Sequence, residues 1–376
     1  MNNKLLGGIL AFLGVAMVVI GLVLMLVIVP GIKVFPEDVD TTRTFDMTFL
    51  TLLDAESLEF ANYPEGEDHA LRINRNIRVE AVEGNTTLIR EEQTILDGET
   101  PLVQQIKHYA LDRQSLIPVT EYPEDWAENE GFWMREGQVI GWPIGVEERD
   151  YDGWNDDTRA TVDLEFQERQ EHEGIQTYFY TAAADPQRIT DAHAEVLGLP
   201  ASLTTMQLAQ LASGVDVEGV ELSTPARLRL IQTLGQAVEE VVGEGSDIPL
   251  EYYYDYVGEY WIEPTTGVLI DTTKYEHRAA TFPQAVRDRF AEILTEAEQD
   301  PEANNYVPPD ILDALLPITV NAFYYEMSEE SVQGAIDDAT GSRDQIVLFG
   351  STLPLILILG GVLIGGTGGF IFARRR

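Results

Sequence analysis

The sequence predicts an α+β protein: a β-rich antiparallel ectodomain, curled or barrel-like, carrying a helical insertion and flanked by a transmembrane helix at each end. Three observations predict it. Both ends of the 376-residue chain carry long uncharged apolar runs. Much of the region between them alternates apolar and polar residues, the period of half-buried strands. One central stretch instead repeats its apolar residues at three and four, the period of a helix.

The first run, Leu5 to Val29, holds 25 uncharged residues, and the second, Ile346 to Ala373, holds 28. At about 1.5 Å per helical residue, either exceeds the roughly 30 Å hydrocarbon core of a bilayer. The first is too long for the apolar region of a signal peptide and has no small-residue cleavage site before Pro30, so it reads as an uncleaved anchor. Arg374, Arg375 and Arg376 follow the second run directly and mark that side as cytoplasmic. Glu37, Asp38, Asp40 and Asp344 flank the other ends. The expected layout is a cytoplasmic N-terminus (1–4), helix 5–29, an extracytoplasmic domain 31–345, helix 346–373 and a cytoplasmic tail (374–376), set in the plasma membrane.

The domain holds all 64 acidic residues but only 20 of the 24 lysines and arginines, a balance of −44. Such a field repels nucleic acid and anionic lipid, so neither is expected as a partner. Only three lysines occur there (Lys33, Lys107, Lys274). The chain has no cysteine, so an exported domain must be held by its core, which 315 residues can supply.

After a polar connector at 36–42, strand patterns run from Thr44 to about Tyr180, with turns at Glu83-Gly84-Asn85, Asp97-Gly98, Glu136-Gly137 and Glu171–Gly174. Residues 187–247 read as the helical insertion, with a short helix over Ser202–Ala212 and a stronger one over Pro225–Val242 capped by Thr224. Strands Tyr252–Ile262 and Gly267–His277 form a hairpin about the turn Glu263–Gly267. A helix from Pro283 to Gln299, a short helix and a last strand, Ile318–Met327, follow. Glu329–Thr340 is an amphipathic lead into the second span.

Few residues point to chemistry. Asp150, Asp152, Asp156 and Asp157 crowd about Gly153, an oxygen-rich patch of the kind Ca2+ favours, although the spacing is not that of a helix–loop–helix calcium site. Asp191, His193 and Glu195 would share one face of a strand, but no zinc spacing is present. There is no phosphate-binding glycine loop, no nucleophile elbow and no thiol; neither an enzyme nor a bound cofactor is expected. Trp126, Trp133, Trp142, Trp154 and Trp261 read as core, or else as the lining of an apolar cavity. Within the spans, Gly7, Gly14 and Gly21 recur every seven residues and Gly361, Gly365 and Gly369 every four. Such spacing suits a close helix–helix seam, within one chain or in a homo-oligomer.

Several segments together resemble one known family. Pro36, Asp38, Asp40, Thr41 and Thr42, the segment Trp154–Thr158, the hairpin Tyr260–Val268, and the end of the chain (Ser331-Val332, Asp337–Ala339, Leu353–Leu355 and the arginine tail) are similar to the porin PorA family. That resemblance implies a pore. The sequence lacks the regular ten-residue lipid-facing strands of an outer-membrane barrel. In architecture alone, two spans about a β-rich ectodomain also resemble the class B scavenger receptors, whose ectodomains hold a lipid tunnel. Two functions are therefore expected as alternatives: binding or passing a lipid or other hydrophobic envelope molecule, or serving as a non-catalytic scaffold or oligomeric channel component.

Overall fold

Ten strands lie side by side in one curled antiparallel sheet, in the order β5-β4-β3-β1-β13-β12-β11-β8-β7-β6, with short β2 paired to β1. The computed structural model describes residues 3–53, 60–62, 70–207 and 222–373. The strands are β1 (Asp40–Leu53), β2 (Phe60–Asn62), β3 (Ala70–Glu83), β4 (Thr86–Asp97), β5 (Thr100–Asp112), β6 (Tyr151–Asn155), β7 (Ala160–His172), β8 (Ile175–Arg188), β11 (Glu251–Ile262), β12 (Leu269–Thr281) and β13 (Ile318–Met327). A separate ribbon pairs β9 (Ser202–Leu203) with β10 (Ile248–Pro249). Tight turns fall where the sequence placed them. Gly84, Gly98, Gly174 and Gly267 all take positive φ, a conformation that costs glycine little.

The hairpin β11–β12 shows how its turn is fixed. The Glu263 carboxylate accepts from the Thr266 amide at 2.8 Å and from the Thr266 hydroxyl at 2.7 Å. Gly267, at φ 74°, would bring a side-chain carbon to 2.6 Å from the Trp142 carbonyl. The Gly145 amide donates to the Thr265 carbonyl at 3.1 Å, docking the turn onto segment 142–145.

Helices cluster at one end of the sheet. The link from β8 to β11 carries α3 (Asp191–Val196) and α4 (Thr224–Val241), and the link from β12 to β13 carries α5 (Gln284–Glu296) and α6 (Ile311–Leu315). Leu230, Leu234 and Val238 of α4 meet Val286, Phe290 and Leu294 of α5 in one apolar cluster, the faces that the three–four spacing predicts. Ser223, not Thr224, is the α4 cap; its hydroxyl accepts from the Ala226 amide at 3.3 Å. The expected helix Ser202–Ala212 starts later than predicted: Ser202 and Leu203 belong to the β9–β10 ribbon, residues 205–207 are helical, and residues 208–212 lie outside the described residues. Asp191–Glu195 is helix α3, not a strand.

The two ends of the chain meet. β1 pairs antiparallel with β13, Phe45 opposite Met327, so the segment entering β1 and the segment leaving β13 emerge at the same end of the sheet. The first comes from α1 (Asn3–Val23), a π-helical turn (Leu24–Ile28) and α2 (Val29–Ile32). The second continues as α7 (Glu329–Val347), another π-helical turn (Leu348–Thr352) and α8 (Leu353–Ala373). Leu5–Ile28 and the 45-residue helix Glu329–Ala373 are both long and apolar enough to cross a membrane. The first part of α7 buries Val332, Ala335 and Ala339 against Phe45, Ile270 and Met327, so the second membrane helix continues directly from a helix packed on the domain. Residues 1–2 and 374–376, where the cytoplasmic ends were expected, lie outside the described residues.

Candidate functional site

One face of the curled sheet carries the features that set this domain apart. Cross-strand register puts Arg75 (β3), Glu91 (β4), Lys107 and Tyr109 (β5) on a single face, because Ile77 lies opposite Glu91 and Glu91 opposite Lys107. The register of the other half does the same for Tyr325 (β13), Lys274, Glu276 and Arg278 (β12), and Tyr254, Tyr256 and Tyr260 (β11). Phe45 opposite Ile73 and Met327 opposite Phe45 join the halves across β1. Alternation on a strand places i, i+2 and i+4 on one side, so the run Lys274-x-Glu276-x-Arg278 delivers three charges to the same surface.

These charges form two clusters. In the first, Arg75 Nε lies 2.6 Å from Glu91 Oε1, and the Tyr109 hydroxyl donates to the other Glu91 oxygen. Lys107 Nζ and Arg135 Nε reach Asp156 at 2.7 and 2.9 Å, with the Trp154 indole N–H donating to it at 2.8 Å. In the second, Lys274 Nζ is 2.8 Å from Glu276, and Arg278 Nη2 is 3.2 Å from Glu276 and 3.0 Å from both Asp157 oxygens. His193 Nε2 lies 3.4 Å from Asp157. Consecutive residues Asp156 and Asp157 thus clasp the two clusters, one to each.

Electrostatics keep the belt ionised. Burial pushes the Glu91 carboxyl up, but Arg75 and Lys107 outweigh it and the group titrates below its usual range. Asp156 is likewise buried, yet Lys107 and Arg135 hold it down at about 2. Burial opposes charge at Asp157 and Glu276 as well; Arg278 at the first, and Lys274 with Arg278 at the second, lower both. Lys274 is the converse case: burial pulls it down, while Glu276 and nearby tyrosines raise it well above the ordinary value. Burial pushes the hydroxyls of Tyr109, Tyr254 and Tyr325 up, so they stay neutral donors.

Below the belt, toward the membrane helices, the same face turns apolar. Ile89 and Leu111 pack with Phe35, Ile77, Val79, Val139 and Ile140. Phe35 follows the first membrane helix closely, and its amide donates to the Arg113 carbonyl at 2.7 Å. Segment 131–138 spans the gap between the end strands: the His108 amide of β5 donates to Gly131, and the Gln138 amide donates to Asp152 of β6 at 2.7 Å. Arg135 projects from this strap between the Tyr109 and Trp133 rings, 4.4 and 4.7 Å from their centroids.

The acidic patch singled out in the sequence does not gather. Asp156 and Asp157 diverge to separate cations, Asp150 accepts from the Phe166 amide at 2.9 Å, and the Asp152 side chain is exposed. Among the described residues no three His, Asp or Glu side chains form a group suited to a metal ion. Trp126 and Trp142 are buried core, with Trp142 against Tyr180 and Tyr260. The belt's cations escaped sequence reading. Two of the domain's three lysines and the alternating Lys274-Glu276-Arg278 triplet were the available signal.

The membrane helices pack on each other antiparallel. A carbon added at Gly7 would come within 2.9 Å of the Gly368 carbonyl, one at Gly361 within 2.6 Å of the Gly14 carbonyl, and one at Gly21 within 2.8 Å of Ile358. Gly365 also faces Gly14. Gly369 has open space around it, and Gly368 takes its place in the seam against Gly7 and Ala11.

Comparison with known proteins bears on this architecture as a whole. The family model described as Porin PorA matches residues 6–370. A protein of Corynebacterium resistens named Porin PorA is 22% identical over 424 aligned residues, covering 100% of this chain and 98% of its own. Another Porin PorA, from Corynebacterium amycolatum, is 21% identical over 402 residues, covering 95% of this chain and 96% of its own.

Proposed function

The chain belongs to the porin PorA family, and we propose that it is a cell-envelope channel component in which a large extracytoplasmic domain, anchored by two helices in the plasma membrane, sorts small charged solutes. The observation that carries this reading is the belt of five cations and four carboxylates formed by one face of the curled sheet with the strap and the β6–β7 turn. Fixed charges in a sheltered interior discriminate between ions far more strongly than charges on an open surface. The reading of sidedness rests on the arginine tail, which favours the cytoplasm.

Neither apolar run, 5–29 or 346–373, holds a charged residue, so one helical pair offers ions no polar route. A conducting form therefore needs several copies. A hydrophobic ligand has less to recommend it: a path along this face would have to cross the belt, whose ammonium, guanidinium and carboxylate groups stand where an acyl chain would need carbon. The test is ion flux through liposomes containing the purified full-length chain. The reading expects a KCl gradient to collapse faster than in protein-free liposomes; a gradient that persists equally in both would sink it.

A further inference from the structure

The strap carries unused hydrogen-bond donors beside the belt. Arg135 is buried, its side chain 1% exposed, with Nε on Asp156 and Nη1 on the His108 and Trp133 carbonyls at 3.3 and 3.2 Å. Its Nη2 has no partner among the described residues, and neither has the buried Trp133 indole N–H nor the buried His193 Nδ1. All three side chains meet at one ring: the Arg135 guanidinium carbon lies 4.7 Å from the Trp133 centroid and the His193 ring 6.1 Å from it. Buried donors left unbonded cost free energy, so the Arg135 Nη2 and Trp133 indole N–H groups call for an acceptor.

A second observation points the same way. Arg159 lies with its guanidinium carbon 4.2 Å from the Trp133 centroid, and among the described residues that ring is its only partner. Most of the domain's 20 lysines and arginines sit within ion-pair distance of a carboxylate, whereas Arg159, at the rim of the unpaired donors, has among the described residues the ring alone. Its backbone sits at φ 53°, a region uncommon outside glycine, in the turn that follows Asp156-Asp157. A narrow cleft lined by Tyr109, Phe132, Trp133, Met134 and Arg135 opens at the same place. It has room for about one water-sized group.

We propose that Arg135, Trp133 and Arg159 form a binding niche for an oxyanion of the phosphate type, one oxygen entering the cleft toward the unpaired guanidinium and indole N–H groups while Arg159 covers the outer side. Planar guanidinium donors match the geometry of phosphate oxygens. The niche stands apart from the channel reading, because it rests on unpaired donors and needs no conduction. The anion has two potential sources, free phosphate or the headgroup of an anionic lipid, and they share the chemistry the niche recognises.

Calorimetric titration of the detergent-purified full chain at about 0.15 M salt separates them, a strength at which the domain's distant acidic charges are largely screened. One arm adds inorganic phosphate and the other adds short-chain phosphatidylglycerol below its micelle concentration. Saturable binding is expected in at least one arm. Arg159→Gln, at an exposed site, and Trp133→Phe, which keeps the ring but removes the N–H, should each weaken it about tenfold or more. Arg169→Gln should leave it unchanged, since Arg169 stacks on Tyr178 and already pairs with Glu148. Phosphate binding alone identifies a free-anion site, and lipid binding alone a headgroup site. No saturable heat in either arm, or equal affinity in the Arg159→Gln and unsubstituted proteins, would overturn the proposal.

Discussion

Glu263 and Gly267 show how much a single residue can fix in this fold. Glu263 is 3% exposed and spends one carboxylate oxygen on both Thr266 donors. Gly267 combines φ 74° with backbone contact on the Trp142 side. Gly267→Ala should destabilise the domain by about 2–3 kcal/mol through strain alone, measured by denaturant unfolding followed in tryptophan fluorescence. Asp156 gives a pH-dependent counterpart. Its folded-state pKa is depressed to about 2 from the ordinary 3.8 of a free aspartate, so its stabilisation is full above about 4 and is lost as pH falls through about 2. Asp156→Asn should therefore flatten the loss of stability between pH 4 and 2 by roughly 2 kcal/mol; an unchanged acid profile would refute the assignment. Lys274→Met alone should cost about 1–3 kcal/mol by removing the nearer of Glu276's two cations while Arg278 stays 3.2 Å away, whereas Lys274→Met with Glu276→Gln should recover much of that loss in the same unfolding assay. The sequence showed Asp156 and Asp157 as a dense acidic patch. It did not show their partners, because those come from β5, β12 and the strap, whose pairing depends on the register of strands far apart in the chain.

At the scale of elements, periodicity was a good guide wherever an element packs by its own pattern. The membrane helices lie where the long apolar runs put them, and α4, the β11–β12 hairpin and β13 where alternation or three–four spacing does. The exceptions are segments governed by neighbours: Ser202-Leu203 pairs with Ile248-Pro249, and Asp191–Val196 is helical behind the Thr190 cap. The glycine seam makes the distinction measurable. The four-residue repeat named Gly369, but the antiparallel crossing turns Gly368 inward and leaves Gly369 facing out. A leucine at Gly14 must push α8 away, since any carbon there collides with the Gly361 and Gly365 backbone, whereas Gly369→Leu meets open space. Cysteine pairs placed across the seam in this cysteine-free chain report the separation. Cross-linking should fall in Gly14→Leu and persist in Gly369→Leu, and equal yields would argue against the seam.

Over the whole molecule, the pairing of β1 with β13 joins segments about 280 residues apart and sets both membrane helices side by side. That closure was invisible to local patterns, although the two spans and their opposite directions were not. An extracytoplasmic domain predicts that a membrane-impermeant maleimide labels Glu99→Cys in intact cells, at the β4–β5 turn, and fails to label Met1-proximal Asn3→Cys; the reverse pattern would invert the topology. The charged face bears on function at this scale, because it unites side chains of β3, β4, β5, β11, β12 and β13 with the strap. Its role as an ion-sorting surface is tested most directly by the reversal potential across a planar bilayer bearing the full-length protein in a KCl gradient. Lys107→Gln is the informative substitution, since Asp156 keeps Arg135 and Trp154 as partners while the interior loses one positive charge. The account predicts measurable conductance whose selectivity shifts toward potassium in Lys107→Gln. A silent bilayer, or a reversal potential identical in the two proteins, would contradict it.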